Sequence, residues 1–309
     1  MYNRQAHHFK VGLFLAALML LSGLLACSPS NRSGATPIAI PSTATETPVP
    51  PTATITPSPT ATPLTCLSQD GELDQGDVPT NGAPTAFIIY LPPCYNQFTD
   101  QRYPVLYLLN GFKFDKDPYP AGEQWIRIGA PVAADRLILS RQAAPFIIIF
   151  PEDRYVGVEQ GVYFGQYVIN NIIPYIDSNY RTLADREHRA IGGLSRGGGW
   201  AFQLGMTRTD LFGAVGLHSP AIFPDDRAIY EYWLHDMPAE NWPRVYLDVG
   251  DNDPEKGFDM LVEGVFTKYE LPHEWHLNTG AHDAAYWSAH VNEYIEWYAE
   301  GWQDQPPLP

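Results

Sequence analysis

The stretch GGLSRGGG, residues 192–199, places one serine and one arginine among five glycines. The residues before the serine, RAIGG at 189–193, have the pattern of a short apolar strand, and a helical pattern begins near Trp200. Ser195 therefore lies at a predicted strand-to-helix turn. The glycines do not match the phosphate-binding patterns GxxxxGKS/T or GxGxxG, so the turn either packs closely or exposes a nucleophile.

Residues 193–197, GLSRG, match the nucleophile elbow G-x-S-x-G in the strand-turn-helix context that gives this motif its meaning. Glycines beside the serine let the strand and helix backbones approach closely, and the turn presents the serine hydroxyl at the carboxyl edge of the sheet. A serine hydroxyl is a weak nucleophile unless a histidine accepts its proton and a carboxylate orients that histidine. The expected chain order is serine, acid, histidine.

An acid and a histidine follow the serine in this order. Asp253 lies in the loop GDNDPEKG after an apolar strand, at the sheet edge where such sites form, although Asp251 and Glu255 are close enough to compete for the role. His282 lies between the last predicted strand and the last helix, after a glycine and an alanine that leave room for its imidazole. We predict a catalytic triad of Ser195, Asp253 and His282.

Two backbone N–H groups are predicted to form an oxyanion hole. One donor normally comes from the residue after the nucleophile, here Arg196, and the other from the loop after an early strand. That loop follows LYLLNGF, and its donor is the N–H of Phe112. The preceding Gly111 is expected to matter for the geometry of the loop.

The other histidines have weaker claims to a functional role. His218 and His290 lie in strand-like and helical patterns, which are typical of core or cap residues. The segment HEWH, residues 273–276, suggests zinc, but it lacks the HExxH spacing and lies in a strand pattern. The sequence predicts neither a metal site nor a cofactor.

The folded part, residues 65–303, alternates apolar runs with helical patterns and is followed by a short tail, 304–309. This alternation predicts an α/β domain with a mostly parallel central sheet flanked by helices on both faces. The predicted strands are 86–91, 104–109, 146–151, 189–193, 214–219, 244–249 and 273–278. Helical patterns occupy 131–141, 161–180, 284–302 and the stretch after the elbow serine.

The N-terminal residues 1–27 have the order of an export signal, with a basic start, an apolar run and the sequence LLAC, which resembles a bacterial lipobox. We predict cleavage before Cys27 and lipid attachment there; an uncleaved signal anchor and a plain secretory peptide are the alternatives. Residues 28–64 contain nine prolines and a repeated PTAT, which predict a disordered tether. The domain is expected to be exported and held on a bacterial membrane, facing the cell surface or the periplasm.

Charge and cysteine content limit the partners and the redox state. The formal net charge is −16, which disfavours nucleic acid as a partner. Once Cys27 is acylated, Cys66 and Cys94 remain, and an even pair in an exported chain favours a disulfide over two free buried thiols.

Seven segments together resemble the putative-esterase family of α/β-hydrolases, which includes esterase D, feruloyl and acetylxylan esterases, enterochelin esterases and the antigen 85 mycolyltransferases. The segments are YPVLYLLNG, QWIRIG, AADRLI, IIPYIDSNYRT, IGGLSRGG, LDVGDNDP and GAHDAAYW. The resemblance implies the α/β-hydrolase fold, together with the triad and oxyanion donors named above. Many relatives have His-Gly where this chain has Asn110-Gly111, and we expect Asn110 to alter loop support rather than abolish activity.

These residues predict a serine hydrolase that cleaves a carboxylic ester through an acyl-enzyme. The expected substrate is a small-molecule or carbohydrate ester, such as an acetyl or feruloyl ester. Trp125, Tyr163 and Trp287 are candidates for an aromatic wall of the substrate pocket, although aromatic residues at helical spacing usually belong to the core. An acyltransferase would use the same triad, and a non-catalytic binding module on a lipid-anchored stalk is the alternative from another class.

Overall fold

The structure is a computed structural model that describes residues 64–79, 85–112, 121–153 and 158–309. The predicted signal peptide, the predicted lipidation site Cys27 and the predicted tether up to residue 63 lie outside these ranges. Within the ranges, no helix is both long enough and apolar enough to cross a membrane.

The described residues form one sheet whose eight strands are β1 Glu72–Val78, β2 Thr85–Leu91, β3 Val105–Leu109, β4 Ile147–Pro151, β5 Arg189–Leu194, β6 Ala214–His218, β7 Arg244–Gly250 and β8 His273–Asn278. Their spatial order is β1-β2-β4-β3-β5-β6-β7-β8. The first two pairs in this order are antiparallel and the remaining five are parallel. The predicted mostly parallel sheet is therefore confirmed, and the predicted strands agree with β2 to β8 within one residue at each end.

The helices of the described part are α1 Gln124–Arg127, α2 Ala130–Leu139, α3 Val158–Tyr167, α4 Ile173–Asn179, α5 Arg196–Thr207, α6 Pro224–Arg227, α7 Tyr230–Asp236, α8 Lys256–Lys268 and α9 Ala284–Glu300. A π-helical turn, Val168–Ile172, joins α3 to α4, so the helical pattern predicted at 161–180 corresponds to one nearly continuous helical stretch.

Two hydrophobic clusters cover the two faces of the sheet. In β3, Tyr107 and Leu109 belong to one cluster with residues of α5 and α8, whereas Leu106 and Leu108 belong to the other with residues of α2 and α9. Successive strand residues point to opposite faces, so the two clusters lie on opposite sides of the sheet. This arrangement confirms helices on both faces and explains the continuous apolar runs in the central strands.

Strand β1 is missing from the sequence prediction because it carries no apolar alternation. Its residues are ELDQGDV, and the first four are exposed. Pairing with β2 along its full length holds it at the edge of the sheet.

A disulfide joins Cys66, in a short helical turn before β1, to Cys94, which follows β2. The predicted disulfide is thus confirmed, and the two Cα atoms are 5.1 Å apart. Both cysteines are buried in the cluster that also contains α2 and α9. The link therefore anchors the polar edge strand to the packed domain.

The residues of the predicted tail also contact the domain. Leu308 is buried in the same cluster, and its carbonyl accepts a hydrogen bond of 3.1 Å from Nε of Arg141.

Candidate active site

Ser195 occupies the sharp turn between β5 and α5. Its backbone angles are φ 54° and ψ −123°, in the positive-φ region that non-glycine residues rarely adopt. The Ser195 N–H donates to the carbonyl of His218 at 3.0 Å, and the Ser195 carbonyl accepts from the N–H of Ala221 at 2.9 Å. These bonds to the end of β6 and the chain beyond it hold the strained turn in place.

Gly193 and Gly197 allow the strand and the helix to meet at this turn. A Cβ on Gly193 would lie 2.2 Å from backbone atoms of Gly197, and a Cβ on Gly197 would lie 2.1 Å from the carbonyl oxygen of Leu109. Backbone atoms cannot move aside as a flexible side chain can. Both positions of the motif therefore require glycine for packing reasons.

His282 connects the serine to the acid. Its Nε2 lies 2.8 Å from Oγ of Ser195, and its Nδ1 lies 2.8 Å from Oδ2 of Asp253. The side chain of Asp253 is completely buried, whereas that of His282 is 24% exposed, so solvent reaches the imidazole but not the carboxylate. The structure thus brings the three predicted triad residues together.

Asp253 is ionised despite its burial. Burial acts to raise its pKa, but the hydrogen bonds from His282 and from the N–H of Glu255 hold the pKa below its usual range. The bond from the Glu255 N–H to Oδ1 is 2.8 Å long. A carboxylate in this state favours the imidazole tautomer with its proton on Nδ1, which leaves Nε2 able to accept the serine proton.

The two competing acids of the same loop have other partners. Oδ1 of Asp251 accepts a hydrogen bond of 3.0 Å from the N–H of Gly280, and Oε2 of Glu255 accepts one of 3.0 Å from Arg227. Asp253 is therefore the member of this group whose carboxylate contacts His282, a distinction that sequence spacing alone leaves open.

The two predicted oxyanion donors lie near the serine. Arg196 is the first residue of α5, and first-turn N–H groups point out of the end of a helix. Phe112 follows β3 and lines the same cavity as the serine. A Cβ on Gly111 would lie 3.2 Å from Cβ of Ser195, which shows how closely this loop approaches the nucleophile.

Two polar side chains tie this region to the end of β4. Nε of Arg196 donates to Oδ2 of Asp153 at 2.8 Å, and both side chains are largely buried. Nδ2 of Asn110 donates to the carbonyl of Pro151 at 3.2 Å, and Asn110 is also buried. Asn110 thus links the end of β3 to the end of β4, and its effect on the loop stays a prediction.

A cavity of about 640 Å³ opens above the serine and the histidine. Its described lining combines apolar, aromatic and polar side chains with the two reactive groups: Gly111, Phe112, Gln124, Arg127, Ile128, Leu194, Ser195, His282, Ala284, Ala285, Trp287 and Ser288. The ring of Trp287 meets the His282 imidazole edge to face, with centroids 5.1 Å apart. The cavity therefore offers an apolar pocket directly beside the reactive hydroxyl.

Of the three predicted pocket aromatics, the structure places only Trp287 in this cavity. Trp125 is fully buried, and its Nε1 donates to the carbonyl of Leu109 at 2.9 Å, so the prediction for Trp125 is wrong. Tyr163 is 56% exposed on α3 and is absent from the described cavity lining, so it also does not form this wall.

The sequence prediction misses the polar lining residues Gln124, Arg127 and Ser288. Gln124 and Arg127 come from the four-residue helix α1, which is too short to show a helical period. Ser288 lies in α9, and the apolar pattern of this helix predicts which residues face the core but not which polar residues face a cavity. Only the placement of α1 and the start of α9 beside the elbow reveals these residues.

Within the described ranges, no three His, Cys, Asp or Glu side chains are grouped so that they could hold a metal ion. In HEWH, Nδ1 of His273 lies 2.8 Å from the carbonyl of Leu271, and the ring of His276 stacks on Tyr246. These histidines therefore make packing and backbone contacts at the edge of the sheet.

The fold and the site together define an α/β-hydrolase: a mostly parallel sheet carries a serine elbow after β5, an acid after β7 and a histidine after β8. Residues 79–298 match the family described as "Putative esterase". The chain therefore belongs to the putative-esterase family.

Two curated relatives are also described as esterases. The endo-1,4-beta-xylanase/feruloyl esterase of Xylanibacter ruminicola is 27% identical over 187 residues, which cover 57% of this chain and 24% of that protein. An esterase of Mycobacterium tuberculosis is 27% identical over 171 residues, covering 52% of this chain and 34% of the relative. The chain thus spans only about a quarter to a third of the curated relatives it matches.

A solved ferulic acid esterase structure shares the fold. Its TM-score is 0.65 at 23% identity, and the match covers 76% of this chain and all of the other.

Proposed function

We propose that this protein is a serine esterase that hydrolyses a carboxylic ester through an acyl-enzyme. The observation that supports this function best is the position of His282, with one nitrogen 2.8 Å from Oγ of Ser195 and the other 2.8 Å from the carboxylate of Asp253. A histidine in this position can take the serine proton while the carboxylate stabilises the resulting positive charge.

In the first half of the reaction, Oγ of Ser195 attacks the ester carbonyl as Nε2 of His282 accepts the hydroxyl proton. The N–H groups of Phe112 and Arg196 stabilise the negative charge that develops on the carbonyl oxygen. The tetrahedral intermediate then breaks the bond to the alcohol, which leaves with the proton from His282. The acyl group stays on Ser195.

In the second half, His282 removes a proton from water, and the resulting hydroxide attacks the acyl carbonyl. Collapse of the second intermediate breaks the bond to Oγ, which regains its proton from His282. Asp253 keeps its charge throughout, because its role is to orient the imidazole and to stabilise its charged form.

The cavity favours an ester with an apolar or aromatic acyl group. Phe112, Ile128, Leu194 and Trp287 offer apolar surface beside the serine, and Gln124 adds an amide at the wall. Relatives described as feruloyl and ferulic acid esterases suggest the same chemistry. We infer that aryl-acyl esters, including feruloyl esters of carbohydrates, are preferred over longer flexible acyl chains.

The N-terminal features suggest where the enzyme acts. We propose that the chain is exported, cleaved before Cys27 and lipid-anchored there, with residues 28–64 as a spacer. The support is the basic and apolar order of residues 1–26, the LLAC sequence and the Pro/Thr-rich stretch that follows it.

The decisive experiment compares the wild-type protein with Ser195→Ala on p-nitrophenyl acetate, p-nitrophenyl butyrate and methyl ferulate, with release of the free acid measured. Loss of a triad nucleophile typically reduces kcat by roughly a millionfold. A matched control is Ser178→Ala, since Ser178 is exposed on α4 and its Oγ donates to the carbonyl of Pro174 in the same helix. Equal rates for wild type and Ser195→Ala would overturn the proposal, as would fluorophosphonate labelling at another residue.

A further inference from the structure

A buried polar network lies beneath the candidate site. Asp248, in β7, is completely buried, and its Oδ2 accepts hydrogen bonds of 2.7 Å from the hydroxyls of both Tyr286 and Tyr294. Its Oδ1 lies 2.7 Å from Nδ1 of His218, whose Nε2 lies 3.0 Å from the Tyr298 hydroxyl. The network therefore fastens α9 to strands β6 and β7.

Tyr286 is the network member that reaches the loop carrying His282. Its ring lies against Gly280, where a Cβ would come within 2.4 Å of Cδ2 of the ring, and Gly280 has a φ of 155°. Its backbone N–H donates to Oδ1 of Asp283 at 2.9 Å, the N-cap of α9 and the residue directly after the histidine. Tyr286 thus touches the chain on both sides of His282.

The same loop is bound to the segment that carries the triad acid. The carbonyl of Gly280 accepts from the N–H of Asn252 at 2.8 Å, and the N–H of Gly280 donates to Oδ1 of Asp251 at 3.0 Å. A shift of Gly280 would therefore change the position of His282 relative to Asp253. The tyrosine ring limits such a shift because it packs directly on Gly280.

We propose that Tyr286 is a positioning residue for the reaction, which holds His282 in line with Ser195 and Asp253 because its hydroxyl is fixed to Asp248. This inference rests on the proposed esterase function. The Tyr286 hydroxyl fixes the depth of the ring in the core, and the ring in turn fixes Gly280. Burial, with the nearby charge of Asp248, raises the pKa of Tyr286, which favours the protonated hydroxyl that donates to Asp248.

Tyr294 provides a matched control. It donates to the same oxygen of Asp248 over the same distance, but it lies two turns further along α9, and its ring packs on His218 with centroids 3.8 Å apart. Removal of either hydroxyl takes one donor from the same buried carboxylate. The two substitutions should therefore lower the stability of the fold by similar amounts, and only removal of the Tyr286 hydroxyl should disturb the loop that carries His282.

The test compares Tyr286→Phe and Tyr294→Phe by steady-state kinetics on methyl ferulate, with active sites counted by fluorophosphonate titration so that kcat refers to folded enzyme. We expect kcat of Tyr286→Phe to fall about tenfold with KM within about twofold, since about 1.4 kcal/mol of transition-state stabilisation corresponds to a factor of ten. Tyr294→Phe should keep kcat within about twofold while losing a similar amount of thermal stability.

The outcomes separate this inference from the function on which it rests. Wild-type enzyme that is inactive on every ester would overturn the esterase function itself. Active wild type with an unchanged kcat in Tyr286→Phe would overturn the positioning role. Equal loss of kcat in both variants would also overturn it, because the effect would then follow from weakening Asp248 in general.

Discussion

Asp253 is the residue whose role can be tested most directly, because asparagine has nearly the same shape as aspartate. Asp253→Asn keeps the shape of the side chain but removes the charge and allows the wrong imidazole tautomer, so we expect kcat to fall by about 10⁴-fold. The measurement is steady-state hydrolysis of p-nitrophenyl acetate. Asp210→Asn serves as the control, because Asp210 is exposed and pairs with Arg208.

A loss in Asp253→Asn as small as that in the control would contradict the triad assignment. A comparable loss of kcat in Asp251→Asn would show that the position of the His282 loop also matters for the reaction, since Asp251 accepts a hydrogen bond from the N–H of Gly280 in that loop. We expect that variant to lose less activity than Asp253→Asn.

Asp259 is expected to make the free energy of unfolding depend on pH. It is fully buried in α8, and neither carboxylate oxygen has a hydrogen-bond partner among the described residues. Burial, reinforced by the negative charges of Asp253 and Glu255, raises its pKa to about 9. The folded protein therefore keeps this proton at neutral pH, whereas the unfolded chain releases it near pH 4.

Because the folded state binds more protons between about pH 4 and pH 9, this group makes the protein less stable as the pH rises through that window. The full slope for one proton is about 1.4 kcal/mol per pH unit. We expect Asp259→Asn to flatten the fall in unfolding free energy between pH 6 and pH 8, measured by urea denaturation. A pH dependence identical to that of wild type would show that Asp259 is ionised in the folded protein.

The chemistry of single residues was more predictable from the sequence than their surroundings. Ser195 and His282 follow from a motif and from the chain order that its chemistry needs. The choice of Asp253 over Asp251 depends on how one loop folds back onto Gly280, which spacing does not specify. The sequence does not show whether Trp125 lies in the cavity wall or in the core, and in the structure its indole is buried and donates a hydrogen bond to the carbonyl of Leu109.

At the scale of elements, burial decides which strands and helices can be predicted. Strands β2 to β8 include the buried central strands, whose apolar runs are visible in the sequence, whereas β1 is polar and gains its structure from pairing with β2. Helix α8 was not predicted, although Phe258, Val262 and Phe266 recur every four residues and would have indicated it.

The Cys66–Cys94 disulfide links the chain before the polar edge strand β1 to the chain after β2. A cross-link that closes a loop of this length contributes about 3 to 4 kcal/mol to stability on the chain-entropy estimate. We expect the paired variant Cys66→Ala, Cys94→Ala to unfold at a lower temperature and to keep its kcat, since the link lies on the β1 side of the sheet, away from the elbow.

The measurements are differential scanning calorimetry of oxidised wild type, reduced wild type and the paired variant, with esterase assays on each. Reduction should lower the melting temperature of wild type to near that of the variant and leave the variant unchanged. Equal melting temperatures for oxidised and reduced wild type would show that the link adds no stability.

At the scale of the whole molecule, the sequence predicts that residues 28–64 form a tether ahead of the folded domain. A Pro-rich stretch of about 37 residues can reach roughly 100 Å when nearly extended, at about 3 Å per residue. With the proposed lipid anchor at Cys27, a tether of this length would let the domain reach esters at some distance from the membrane. The net charge of −16 would disfavour the binding of highly anionic substrates.

Lipid attachment at Cys27 can be tested on the full chain expressed in a bacterial host. A diacylglyceryl group and an amide-linked acyl chain together carry three acyl chains, and anchoring by more than one chain is stable where a single chain is not. We therefore expect wild-type protein to incorporate labelled palmitate and to sediment with membranes, and Cys27→Ser to do neither. Ser28→Ala, one residue further on, should behave as wild type. Palmitate incorporation that persists in Cys27→Ser would place the lipid elsewhere, whereas soluble, processed wild-type protein would point to a plain secretory peptide.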